Sequence, residues 1–131
     1  MLTVNAVERF LMASRRGDVE AATAELAPDV VMLNPATDEP IRGREAVARA
    51  LRAVEEACDE FRHTHMLAEP TPTISALFAL VFEATIGEAV LGGVDLIELD
   101  EDDRIATFTV AARPIAALMA LGGRIAELDN Q

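Results

Sequence analysis

The sequence predicts an α+β fold: helices near the start of the chain pack on one face of a curved antiparallel sheet, and a further helix follows at the C-terminus. Three observations predict it. Apolar residues recur at helical spacing through the first third of the chain, and the second half alternates with period two. The element order is helix, helix, strand, helix, then consecutive strands, which places helices and strands in separate layers. With 131 residues, a single domain over 1–131 is expected.

Each element has its own signal. Val4, Val7, Phe10, Leu11 and Ser14 repeat at helical intervals, with Thr3 or Asn5 able to cap the start and Gly17 suited to the end. Asp18 is a natural cap for a second helix over 19–26, which Pro28 stops. Residues 29–34 are short, β-branched at their start and closed by Pro35, hence a strand. A polar loop with Pro40 and Gly43 leads to a third helix over 44–58, whose apolar stripe is Val47, Leu51, Val54, Cys58 and Phe61. Residues 61–67 alternate, and Pro70 and Pro72 break that strand. Residues 73–85 form a long strand pattern. One face carries Ile74, Ala76, Phe78, Leu80, Phe82 and Ala84; the other carries Ser75, Leu77, Ala79, Val81, Glu83 and Thr85. Gly87-Glu88 turns the chain into a strand over 89–99. The acidic run from Asp100 to Asp103 does not match a calcium loop and reads as a solvated turn before the last strand, 104–113. Pro114 suits the first position of a helix carrying Ile115, Leu118, Leu121, Ile125 and Leu128, which Gly122-Gly123 is expected to weaken or kink.

Composition narrows the chemistry. A net charge of −12 repels nucleic acid and anionic membrane surfaces, so neither is an expected partner. No run approaches the roughly 18 apolar residues of a spanning helix. The first residues lack the basic flank and apolar stretch of a signal peptide, so a cytoplasmic location is expected. All eleven basic residues are arginine, which excludes lysine nucleophiles and Schiff bases. There is no Tyr or Trp, and neither Ser14 nor Ser75 lies in a nucleophile elbow. Cys58 stands alone on an apolar stripe and reads as a buried structural thiol. Leu77, Ala79, Val81, Val94 and Leu96 leave the second sheet face apolar, which predicts a homodimer through the sheet.

Three segments carry a resemblance. They are Gly17-Asp18-Val19-Glu20-Ala21, the run from Leu26 to Pro35, and Pro40-Ile41-Arg42-Gly43-Arg44-Glu45-Ala46-Val47. With the acidic hairpin from Asp95 to Ile105, they resemble the nuclear-transport-factor-2-like superfamily, in its ketosteroid isomerase and SnoaL-like polyketide cyclase branch. The resemblance implies a cone of curved sheet closed by helices around one apolar pocket, and usually a dimer. It implies activity more weakly, because this fold hosts many unrelated reactions. Carried over residue by residue, the isomerase's catalytic aspartate falls on Asn34 and its oxyanion tyrosine on Phe10. Its protonated aspartate falls on Asp95. An amide abstracts no proton at neutral pH and Phe donates no hydrogen bond, so standard ketosteroid isomerisation is not expected.

Asp95 shares a strand face with Leu91, Gly93, Ile97 and Leu99, so the pleat turns its carboxyl toward an apolar interior. A purely structural buried aspartate is the alternative. Period two puts His63 and His65 on the face of Phe61 and Leu67, where either imidazole suits the general base that Asn34 is not. Asn34 either orients a ligand or makes strand-ending turn chemistry. Phe10, Phe61, Phe78, Phe82 and Phe108 belong to the core and to the lining of any pocket. Arg113 falls on the opposite face from Phe108 and reads as a surface residue. The expected function is binding of a small hydrophobic molecule with cofactor-independent, metal-free acid–base chemistry of isomerase, cyclase or dehydratase type, using Asp95 with His63 or His65. The alternative is a non-catalytic ligand-binding or protein-interaction module on the same fold.

Overall fold

The computed structural model describes residues 4–69 and 76–130. In chain order the elements are α1 (Ala6–Arg15), α2 (Val19–Thr23), β1 (Leu26–Leu33), β2 (Ile41–Arg42), α3 (Arg44–Ala57) and β3 (Glu60–Ala68). They are followed by β4 (Leu77–Ile86), β5 (Ala89–Leu99), β6 (Ile105–Arg113) and α4 (Ile115–Asp129). The six strands form one open sheet in the order β2-β1-β6-β5-β4-β3. The sheet is mixed rather than wholly antiparallel. β1 lies parallel to β6 because the chain leaves β1 through β2 and α3 and returns only after three further strands.

Asn5 caps α1: its Oδ1 accepts the Glu8 N–H at 2.9 Å while its Nδ2 donates to Glu8 Oε1. Thr3, the other candidate cap, lies outside the described residues. Helix α2 is shorter than its pattern suggests and ends at Thr23, because the chain switches to strand at Leu26. Pro28 therefore sits inside β1 instead of stopping a helix. Leu26 pairs with Ile105 and Val31 with Thr107, so residues 27–30 bulge opposite Ala106, where a missing N–H breaks no ladder bond.

That bulge explains the Arg42-Gly43-Arg44 segment. Gly43 donates to the Val30 carbonyl at 2.8 Å, and Arg44 donates to the Leu26 carbonyl from Nε at 2.9 Å and from Nη2 at 2.7 Å. Gly43 holds φ 92° and ψ 151°, a region essentially restricted to glycine. Gly43→Ala is therefore expected to cost about 1–2 kcal/mol in a urea melt, whereas Gly17→Asn, at φ 73°, costs less because asparagine tolerates the left-handed region.

Strand β4 runs from Leu77, and Pro70, Pro72, Thr73, Ile74 and Ser75 lie outside the described residues. Its alternation matches the pattern, with Phe78, Leu80, Phe82 and Ala84 buried. On the outer face Leu77 and Leu96 are exposed, and Ala79, Val81 and Val94 are half-buried. The acidic turn has a structural role. Asp103, at φ 56°, accepts the Ala6 N–H and an Arg9 Nη2 bond at 2.8 Å, and Arg9 also pairs with Glu25. It thereby ties α1 to the rim of the sheet. Gly122-Gly123 does not interrupt α4, which is continuous through fifteen residues with Pro114 as its N-cap. Ala117 and Leu121 are buried in a cluster with Phe82, Ala84, Ile86 and Leu91, and that packing offsets two glycines' weak propensity.

Two apolar clusters fill the concave side. One joins α1, β1 and α3 to Phe78, Leu80, Ile97 and Phe108; the other joins Ala57 and α4 to Phe82, Ala84 and Leu91. No described helix is long and apolar enough to cross a membrane.

Candidate functional site

Asp95 lies in β5 between Leu80 of β4 and Val110 of β6, on the inward face and at the boundary of the two clusters. Its side chain is 6% exposed. Burial pushes the carboxyl's pKa above its ordinary value, and the neighbouring His63 offsets this only in part. His63 Nε2 stands 3.5 Å from Asp95 Oδ2, a contact too loose for a hydrogen bond, and this buried nitrogen has no other partner among the described residues.

The two histidines part company. His63 pairs with Phe82 but His65 pairs with Val81, so Thr64 is an extra residue in β3. One inserted residue inverts the alternation beyond it. His63 stays inward and buried, whereas His65 is exposed beside the Thr64 hydroxyl, 3.0 Å from it, and Leu67 is exposed as well. The expectation that both imidazoles share the inner face is corrected on this point, and His65 is not part of the buried site.

Aromatic rings position His63. Phe61 meets its ring edge-on at a centroid distance of 5.2 Å and Phe10 at 6.3 Å. Phe82 stacks on Phe61 at 5.1 Å, and Phe10 meets Phe108 edge-on at 5.7 Å. The fifth phenylalanine, Phe78, is buried in the core and lines neither cavity described next, because it lies farther along β4.

Two cavities open beside Asp95. The larger, about 390 Å³, lies between the sheet, α3 and α4, lined by Met32, Phe82, Leu91, Val110, Leu118, Leu121 and other mainly apolar groups, with Asn34 at its edge. The smaller, about 270 Å³, lies among α1, α2 and α3 and reaches His63, Phe10, Ser14 and Thr23. Asn34 also does the turn chemistry expected of it, its Oδ1 accepting the Ala36 N–H at 2.9 Å.

Helix α4 covers the larger cavity, with Leu118, Leu121, Gly122 and Ile125 in its wall. Arg124 fastens the helix, donating to Asp59 Oδ1 at 2.7 Å and the Ala57 carbonyl at 3.0 Å, while Asp59 Oδ2 accepts the Gly87 N–H. The guanidinium and that backbone bond hold the Asp59 carboxyl below its usual range. No sequence spacing announces this pair, since its members are 65 residues apart. Among the described residues, no three His, Cys, Asp or Glu side chains converge as metal ligands would. Cys58 is half-buried at the edge of the smaller cavity, and burial pushes its thiol pKa up. Arg113 is exposed.

Residues 7–108 match the family model described as a SnoaL-like domain. A steroid delta-isomerase from Pseudomonas aeruginosa is 30% identical, with 96% of this chain and 92% of that one covered and a TM-score of 0.83. An uncharacterised protein with a cystatin-like fold from Silicibacter pomeroyi is 31% identical over 93% of this chain and 83% of its own, with a TM-score of 0.81. TerC, co-crystallised with polyporic acid, is 15% identical over 89% and 95% with a TM-score of 0.65, and shares the fold. No curated protein matches the sequence.

Proposed function

The chain belongs to the SnoaL-like family of the nuclear-transport-factor-2-like superfamily, and from that premise we propose that its larger cavity binds a small hydrophobic molecule on which the Asp95–His63 pair performs cofactor-independent acid–base chemistry. The observation that carries this reading is the buried Asp95 carboxyl, opening on an apolar cavity with an unpartnered imidazole 3.5 Å away. A carboxyl in such a place retains its proton to higher pH and donates to a carbonyl or hydroxyl of a ligand. His63, held among phenylalanine rings, is the group that takes or returns a second proton.

The reaction class is isomerisation, aldol-type cyclisation or dehydration, each needing only a proton moved at carbon or oxygen. Steroid isomerisation, suggested by the relative's name, runs against two residues of this chain: Asn34 cannot act as the base and Phe10 cannot donate to an oxyanion. His63 and Asp95 therefore divide the work between them in this reading. A non-catalytic ligand-binding role rests on the same absences and is separated from the catalytic one by the Asp95→Asn variant.

The test has two parts. Native mass spectrometry of the purified protein should reveal an apolar molecule of a few hundred daltons retained in the gas phase. A protein that arrives empty and fails to enhance the fluorescence of 1-anilinonaphthalene-8-sulfonate would sink the reading. The apolar outer sheet face, with Leu77 and Leu96 exposed, supports a homodimer. Light scattering at micromolar concentration should accordingly give twice the chain mass, and Leu96→Glu should shift it to the monomer.

A further inference from the structure

The two cavities share a wall. Leu51, Val54, Phe61 and Phe108 line both, and among the described residues Asp95 is the one ionisable group common to the two. Their other linings differ in kind. The larger is apolar apart from Asp95 and the turn at its edge. The smaller carries the Ser14 and Thr23 hydroxyls and the His63 ring, and reaches the surface past the exposed Glu55 and Asp59. The imidazole that lines this polar space is 4% exposed, and its Nε2 stands 3.5 Å from Asp95 Oδ2 with no hydrogen-bond partner among the described residues. Polar groups that line a cavity of this kind ordinarily bond to ordered water. At ~30 Å³ per molecule, a cavity of this size holds several waters.

We propose that the smaller cavity is a water-filled passage through which the Asp95–His63 pair exchanges protons with solvent, separate from the route by which an apolar ligand reaches the larger cavity. The proposal rests on the reading of the larger cavity as the ligand site and adds a second, polar entrance to it. A proton leaving the pair passes to a water of the passage and on to solvent past Glu55 and Asp59; one returns by the same chain, and no electron is transferred. The apolar wall keeps that water off the ligand body while leaving Asp95 reachable from both sides. A reaction in the larger cavity thus takes its hydrogen from solvent even when ligand fills that cavity.

Plugging each cavity in turn tests the passage. Ser14→Leu obstructs the smaller one, and Val19→Phe obstructs it from α2 should the first variant fail to fold. Gly122→Leu adds bulk to the wall of the larger, which Gly122 lines and where a Cβ has room, meeting nothing within 4 Å. All are made in a His65→Gln background with ¹⁵N-labelled histidine, so that only the His63 ring is read. The rate of exchange of its ring N–H with water is measured by water-selective magnetisation transfer at pH 6, and exchange too fast to observe counts as open. The expected result is exchange slowed at least tenfold by Ser14→Leu or Val19→Phe and changed less than twofold by Gly122→Leu. Slow exchange in the parent protein, no change in either small-cavity variant, or slowing by Gly122→Leu would each overturn the proposal. Fluorescence of 1-anilinonaphthalene-8-sulfonate keeps the two readings apart. It should be lost in Gly122→Leu and kept in Ser14→Leu; a probe that binds no form sinks the ligand site while the exchange rates still judge the passage.

Discussion

Asp95→Asn is expected to lower turnover by at least about a hundredfold, the usual span of a positioned acid or base, and to raise the melting temperature at neutral pH. The two effects share one cause. In the unfolded chain an aspartate ionises at about 3.9, whereas burial in the folded protein holds the proton to higher pH. Between those two values the folded state binds more protons than the unfolded state, so stability falls as pH rises through the interval. Below about pH 4 both states are protonated and Asn closely replaces the neutral acid, so the two proteins should melt together. Above the folded value the native protein carries the full penalty and the variant none. Calorimetry from pH 3.5 to 8 checks the sign: a variant whose relative stability falls as pH rises contradicts the account. A group that weakens the fold at working pH is understandable at a site kept for chemistry.

Gly93→Ala should cost about 2–3 kcal/mol, at the upper part of the range for overpacking. Gly93 pairs with Phe82 across β4 and with Ala112 across β6. A Cβ there would lie 2.6 Å from Phe82 Cζ and would overlap the Ala111 carbonyl oxygen. The ring could turn away, but the carbonyl belongs to the sheet backbone. Phe82→Leu in the Gly93→Ala background should recover only part of the loss, and full recovery would show that the ring alone occupies the space. The effect also reaches the site, because Phe82 stacks on Phe61, which holds the edge of His63. Displacing Phe82 should therefore loosen the imidazole beside Asp95 as well as the core.

Much of this was legible in the sequence. The alternation of β5 alone placed Asp95 among Leu91, Gly93, Ile97 and Leu99, and it is buried there. The alternation of β4 and the turn at Gly87 were equally plain, because period two survives wherever one face packs on a core. The bulges were not legible. Thr64 carries no mark distinguishing it from a regular strand residue, yet it decides that His63 enters the site and His65 does not. Pro28 looked like a helix stop because proline's missing N–H is compatible with either a helix end or a strand bulge. Partners far apart in sequence, such as Arg124 with Asp59, and the division of the interior into two cavities depend on packing across the whole sheet. The acidic turn held a further surprise, since Asp103 is a structural acceptor for α1.

The central claim is that Asp95 keeps its proton in the folded interior beside His63. Carbon-13 labelling of the aspartate carboxyls, with Asp95→Asn to assign the signal, measures this directly. The Asp95 resonance is expected to titrate clearly above the ordinary aspartate value of about 3.9, and binding of an apolar probe in the larger cavity is expected to move it higher still. A midpoint at or below the ordinary value, unmoved by the probe, would contradict the claim.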